Sequence, residues 1–242
     1  MTKHRKRHLT LAFCTSHRRT LESSVKPRYN GLTDEQTKLE RIVKEKKERT
    51  KMKNKEELLQ AFKELKKDNI IKTKRGLAFM LSSVIIWIAV LCVHLSDQPV
   101  LMKNMLTFCC SAPLVPMAYF ISKLIGVDFQ NKENPLTKAG ILFAINQMIY
   151  ILIAMWVYGA VPEKMLMVYA MIYGAHLLPY GWLYQSKTYY ILSVVVPFAA
   201  LYIGCNYKPF VIAAVMILTQ MICCAGIILE NRWFHKAGAD CL

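Results

Sequence analysis

Between Gly76 and Leu229 the chain passes through six apolar stretches of about 20 residues, with only short polar links between them. That length is what an α-helix needs to cross the hydrocarbon core of a bilayer. Inside lipid, each backbone N–H and C=O must find a partner within the segment, which makes a helix the natural solution for such runs. The stretches are Gly76–Leu95, Asn104–Ile125, Ala139–Tyr158, Met165–Tyr184, Thr188–Cys205 and Pro209–Leu229. The second is softened by Pro113 and Pro116, and the fifth is short and holds Pro197. Links such as VPEK, QSK and NYK make sequential helices antiparallel neighbours. The pattern predicts an all-α fold, a polytopic membrane helical bundle of about six transmembrane helices over 76–230.

Charge supports this reading. A chain 54% apolar with a formal charge of +16 is hard to reconcile with a soluble domain. The excess is concentrated at the start: residues 1–51 carry a net +9 and 52–75 a net +4, against +3 for the remainder. Lys/Arg bias sets orientation. The N-terminal flank, Lys123, Lys132, Lys138, Lys187, Arg232 and Lys236 fall on one side, and Lys103, Lys164 and Lys208 on the other. Both termini, including the tail 231–242, are therefore expected in the cytoplasm, with the bundle in the cell membrane. The first stretch is too long, and lies too deep in the chain, for a signal peptide.

Residues 52–75 read MKNKEELLQAFKELKKDNIIKTKR. Asn54 with Glu57 has the form of a capping box. Leu58, Leu59, Phe62 and Leu65 then share one helical face, with Lys63, Lys66 and Lys67 off it. Two readings fit: a basic amphipathic helix lying on an anionic inner leaflet, or a solvated linker helix. Residues 1–51 show weak periodicity over Thr33–Lys51 and are expected to be largely disordered. Their KHRKRH cluster suits nucleic acid or a transit peptide in isolation, yet nucleic acid is not the expected partner of a chain otherwise built for lipid. Met52 opens the better-patterned segment and follows Lys-Glu-Arg, codons for which can resemble a ribosome-binding site. It is a candidate natural start.

Polar residues at membrane depth carry the strongest functional signal. The third stretch holds Asn146, Gln147 and Tyr150. The fourth holds His176 on a face shared with Tyr169, Tyr173 and Tyr180, and the sixth holds Gln220. From a rise of about 1.5 Å per residue, Asn146, His176 and Gln220 lie roughly 11, 12 and 14 Å from the cytoplasmic ends of their stretches. Asn146, Gln147, Tyr173, His176 and Gln220 thus form a candidate polar layer. It serves either a proton-linked pathway with His176 titrating or interhelical hydrogen bonding that holds the bundle together. Ala170 and Gly174 form a small-xxx-small pair that lets another helix approach closely.

Catalytic and metal motifs find no foothold: there is no H-E-x-x-H, no nucleophile elbow, no phosphate-cradling glycine loop and no C-x-x-C. Neither cofactor nor metal is called for. Most cysteines sit in apolar runs, where a thiol behaves as a small hydrophobe. Cys109-Cys110 and Cys223-Cys224 fall at different depths. The function classes left are a small-solute transporter or permease, a non-catalytic accessory or sensor with a lipid- or protein-binding basic helix, and an intramembrane enzyme using His176. Self-association stays open.

MWVYGAVPEKMLMVYAMIYGAHLLPYGWLYQSKTYY (155–190) and FCCSAPLVPMAYFISKLIGVDFQNKENPL (108–136) resemble an uncharacterised family of small bacterial multipass membrane proteins. The resemblance spans roughly 53–230. It implies a membrane location and a span count, and it brings no activity, cofactor or catalytic residue with it.

Overall fold

The structure, a computed structural model, describes residues 34–239. All regular structure among them is helical. Nine α-helices follow in order: α1 (Asp34–Thr73), α2 (Leu77–Leu95), α3 (Val100–Ser111), α4 (Leu114–Leu124), α5 (Leu136–Ala160), α6 (Met165–Ala175), α7 (Leu177–Tyr184), α8 (Lys187–Asn206) and α9 (Pro209–Ala239). The described residues divide into two units, one ending at Leu58 and the other beginning at Leu59.

In the first unit, residues 34–58 form the opening part of α1, with almost every side chain exposed. The helix does not begin at Asn54; it runs unbroken from Asp34. The segment holds no Gly or Pro and is rich in Lys and Glu, both good helix formers. Pairs at i,i+4, Glu45 with Arg49 at 3.3 Å and Lys53 with Glu57 at 4.0 Å, add to it. Residues 34–51 are therefore helical, in line with the weak helix read over Thr33–Lys51 within a segment expected to be largely disordered. Residues 1–33, with KHRKRH, lie outside the described residues.

In the second unit, α1 ends at a sharp turn in which Lys74, Arg75 and Gly76 all take positive φ, at 45°, 57° and 71°. Only the glycine does so without steric cost, and its missing Cβ also leaves room for the Tyr184 ring, which a Cβ would meet at 3.2 Å. Beyond the turn, α2 packs along α9 and α6 along α8, with α3 and α4 against α2 and α5 against α6. Trp87, Leu166, Met216 and Ile227 are buried at the centre of this core. Helix α5 is peripheral, burying only Leu136, Ala154 and Val157.

Four helical runs are long and apolar enough to cross a membrane: Glu35–Leu95 through its α2 part, Leu136–Ala160, Lys187–Asn206 and Pro209–Phe234. The pair α3 and α4, bent by 41°, makes a fifth if counted as one span. The bend falls where Pro113 has no N–H to continue the ladder. The count differs from six at Met165–Tyr184. That stretch forms two short helices, α6 with 11 residues and α7 with 8, divided at His176. Pro179 cannot donate to the Ala175 carbonyl, so the ladder fails at that turn. In contrast, α8 stays continuous through Pro197.

Candidate functional site

The spacing Tyr169, Tyr173, His176, Tyr180 places four rings on one face of α6 and α7, and the fold extends them into a ladder. Phe108 meets Tyr169 edge-on at 6.0 Å, Tyr169 meets Trp87 at 6.0 Å, and Trp87 meets Tyr173 at 5.9 Å. Tyr173 then meets His176 at 5.3 Å, His176 meets Tyr180 at 5.4 Å, and Tyr180 stacks on Tyr184 at 6.0 Å. Such pairs hold rings in defined orientations and add modestly to burial. Tyr189 follows Tyr184 at 6.1 Å, and hydroxyls tie the ladder to its surroundings: Tyr169 donates to Ser111 Oγ (2.7 Å), Tyr180 to the Gly140 carbonyl (3.0 Å) and Tyr189 to the Arg75 carbonyl of the α1–α2 turn (2.9 Å).

At mid-ladder three helices share one relay. Ser83 of α2 donates to the Tyr173 hydroxyl at 3.0 Å, and Tyr173 donates to Gln220 Oε1 of α9 at 3.0 Å. All three side chains are buried, Gln220 to 1% exposure. The Gln220 Nε2 donor is buried with no partner among the described residues. His176 does not join the relay. Its Nδ1 lies 2.6 Å from the Tyr173 carbonyl, so Nδ1 carries the proton and donates there, across the break between α6 and α7. The imidazole thus acts as a local cap for a loosened helix end. Asn146 and Gln147 stay apart from the cluster as well: on peripheral α5, Gln147 is half-buried and Asn146 exposed. Of the layer read from the sequence, the structure joins Tyr173 to Gln220, keeps His176 adjacent and leaves the α5 amides outside. Ser83, within the SS pair of the first apolar stretch, is the member that depth arithmetic missed.

A second polar network lies at the α1–α2 turn. Arg75 donates through Nε to the Tyr184 carbonyl (3.2 Å) and through Nη1 to Asn231 Oδ1 (2.5 Å), and it pairs with Glu230 at 3.6 Å. Glu230 Oε1 in turn accepts from the Thr188 N–H and hydroxyl, each at 2.9 Å. Residues 59–73 of α1 are docked nearby. Asp68 accepts from Asn131 (2.6 Å) and Asn134 (3.0 Å) in the α4–α5 link. The Asn134 amide, with help from Lys72 and Asn131 and against a smaller effect of burial, holds the Asp68 carboxyl below its usual value. Lys63 and Lys67 are exposed. Lys66 is not: at 6% exposure it donates to the Trp182 carbonyl (3.1 Å) and sits 3.6 Å from the Trp182 ring centroid. Burial pulls its ammonium below the usual value. The helix reaches Trp182 through that side chain because a long aliphatic stem can be buried while its charged head finds a carbonyl and a ring face.

At the opposite end of the bundle, His94 Nε2 lies 3.1 Å from Thr107 Oγ1, Asn104 donates to the Pro162 carbonyl (2.8 Å), and Lys164 donates to the Gly204 carbonyl (2.7 Å). Among the described residues no three His, Cys, Asp or Glu side chains converge to hold a metal ion.

A helical bundle with a buried polar relay, bounded by helices apolar enough to cross a bilayer, defines the class of polytopic helical proteins compatible with a membrane. Within it, the chain belongs to a family of unknown function, DUF7010, whose family model matches residues 62–230. No curated protein and no solved structure matches it.

Proposed function

We propose that the chain is a non-transporting accessory protein of the cell membrane, a multipass anchor that holds its charged α1 on the cytoplasmic side. The observation that carries this reading is the closed state of the polar relay. Ser83, Tyr173 and Gln220 are each at most 8% exposed, and the nearby space between α8 and α9 (Val196, Ala200, Met216, Thr219) is about 10 Å³, too small for a solute. The Arg75 and Asp68 networks support it too, since they fasten the bundle to the last part of α1. The Lys/Arg bias of the flanks supports a cytoplasmic side for those networks and both termini.

One observation favours the second reading, a small-solute transporter: the unpartnered Gln220 Nε2 is an amide donor aimed into the bundle. An intramembrane enzyme using His176 draws least support, because Nδ1 is already spent on the Tyr173 carbonyl. Hydrogen–deuterium exchange on the wild-type chain in lipid nanodiscs separates the first two. The accessory reading expects the amides of 168–175 and 216–224 to be as protected as those of α2. Fast exchange at both stretches, as a hydrated pathway would cause, supports transport instead.

A further inference from the structure

Asn146 is out of place. Taken with the membrane reading above, it lies ten residues from Leu136, roughly 15 Å along α5 and deep in the hydrocarbon. A side chain this short cannot reach the interface from there. Yet it is exposed, and no hydrogen bond joins it to any described residue. A polar group at this depth is costly unless partnered. Two other amides deep in the apolar helices turn inward: Gln220 bonds Tyr173, and Gln147 is half-buried on the packed face.

The residues around Asn146 have an order of their own. Leu142, Asn146, Ile149, Ile153 and Trp156 follow at steps of four, three, four and three, the a/d spacing that lets two helices mesh along a seam. All five are exposed: Leu142 at 62%, Ile149 at 57%, Ile153 at 51% and Trp156 at 71%. The packed face of α5, with Phe143, Gln147, Ala154 and Val157, is a different one. A single asparagine among apolar a and d residues is the arrangement that fixes register in two-stranded seams.

The geometry points to a homodimer that meets along α5, with Asn146 pairing with the same residue of a second copy. A carboxamide carries both donor and acceptor, so it complements itself. Two copies inserted with the same topology bring their Asn146 residues to the same depth without adjustment. A two-fold axis along the membrane normal then gives an isologous contact. An unrelated membrane partner would have to supply a matching polar group at that level, which nothing in this chain specifies.

The test uses single cysteines at 142, 145, 146, 148, 149, 152 and 153 in a Cys-depleted full-length chain, cross-linked in native membranes with an oxidant. Carbonate extraction comes first, since a chain that leaves the membrane pellet defeats the membrane reading itself. With the chain retained, disulfide-linked dimers are expected at 142, 146, 149 and 153, several-fold above 145, 148 and 152. In liposomes, Asn146→Leu is expected to weaken dimerisation by about three- to thirty-fold, while Asn146→Gln, which keeps an amide, retains more of it. Uniform cross-linking along α5, monomers at all positions, or an adduct with a different protein would each overturn the homodimer.

Discussion

Arg75 and Glu230 meet at 3.6 Å, joining the strained turn before α2 to the far end of α9. Arg75 is 5% exposed, and its planar fork is used in two further directions, toward the Tyr184 carbonyl and Asn231. The backbone there is left-handed at a residue with a Cβ, a conformation that persists only when surrounding contacts hold it.

Removing this guanidinium leaves Glu230 largely buried without its cation. Arg75→Ala is expected to destabilise the bundle by about 3 kcal/mol, read as a lower midpoint of thermal unfolding in detergent. Arg75→Lys recovers only part of that, because an ammonium cannot serve three directions from one plane. Full recovery by lysine would show that charge alone matters.

The relay at Tyr173 makes two substitutions unequal. Tyr173→Phe strands Ser83 and Gln220 together and is expected to cost about 1 kcal/mol. Gln220→Leu discards an amide that is already half unsatisfied but leaves the Tyr173 hydroxyl without its acceptor, so it is expected to cost less than Tyr173→Phe, below about 1 kcal/mol. Thermal midpoints of the two variants check the ordering. A Gln220→Leu loss larger than that of Tyr173→Phe would mean that Gln220 has a partner besides Tyr173.

Helices α6 and α8 approach closely at Gly174, where an added Cβ would meet Pro197 at 2.7 Å and Val196 at 2.8 Å. Gly174→Ala is expected to cost about 1–3 kcal/mol through overpacking. Gly159, with nothing within 4 Å of an added Cβ, is the control, and Gly159→Ala should be neutral or slightly stabilising. Unfolding midpoints in matched detergent compare the pair.

The Gly174 contact was legible in the sequence as half of a small-xxx-small pair, and the helical class as the run of apolar stretches. Tyr173 and Gln220 were legible only as two members of a five-residue layer, because depth along each helix follows from counting residues. Rotation about each helix axis does not. Asn146 shares the depth of Gln220 yet faces outward, and the difference depends on which neighbours α5 packs against. Lys66 escaped for a similar reason: its helical face was readable, but the presence of Trp182, 116 residues away, was not. Two local rules were overridden outright. The Asn54 capping box gave way to a continuous run of helix formers, and His176 with Pro179 turned one predicted span into two helices.

Docking of residues 59–73 should weaken in acid. The Asp68 carboxyl is held below its usual value in the folded chain, so its contribution is complete above the unfolded value of about 4 and is lost as pH falls below that. Its side chain is 40% exposed, which keeps the effect modest. Limited proteolysis between α1 and α2 is expected to accelerate below about pH 4. Asp68→Asn should be cut more readily at neutral pH and show little further change in acid.

A closed relay at Tyr173 and Gln220 is one that water does not reach. Single cysteines at 173 and 220 in a Cys-depleted chain, challenged with a membrane-impermeant thiol reagent from each side of sealed vesicles, test it most directly. No labelling is expected at either position from either side, while a cysteine at exposed Lys67 is expected to label readily from one side. Labelling at 173 or 220 on folded protein, from one side or both, would contradict it.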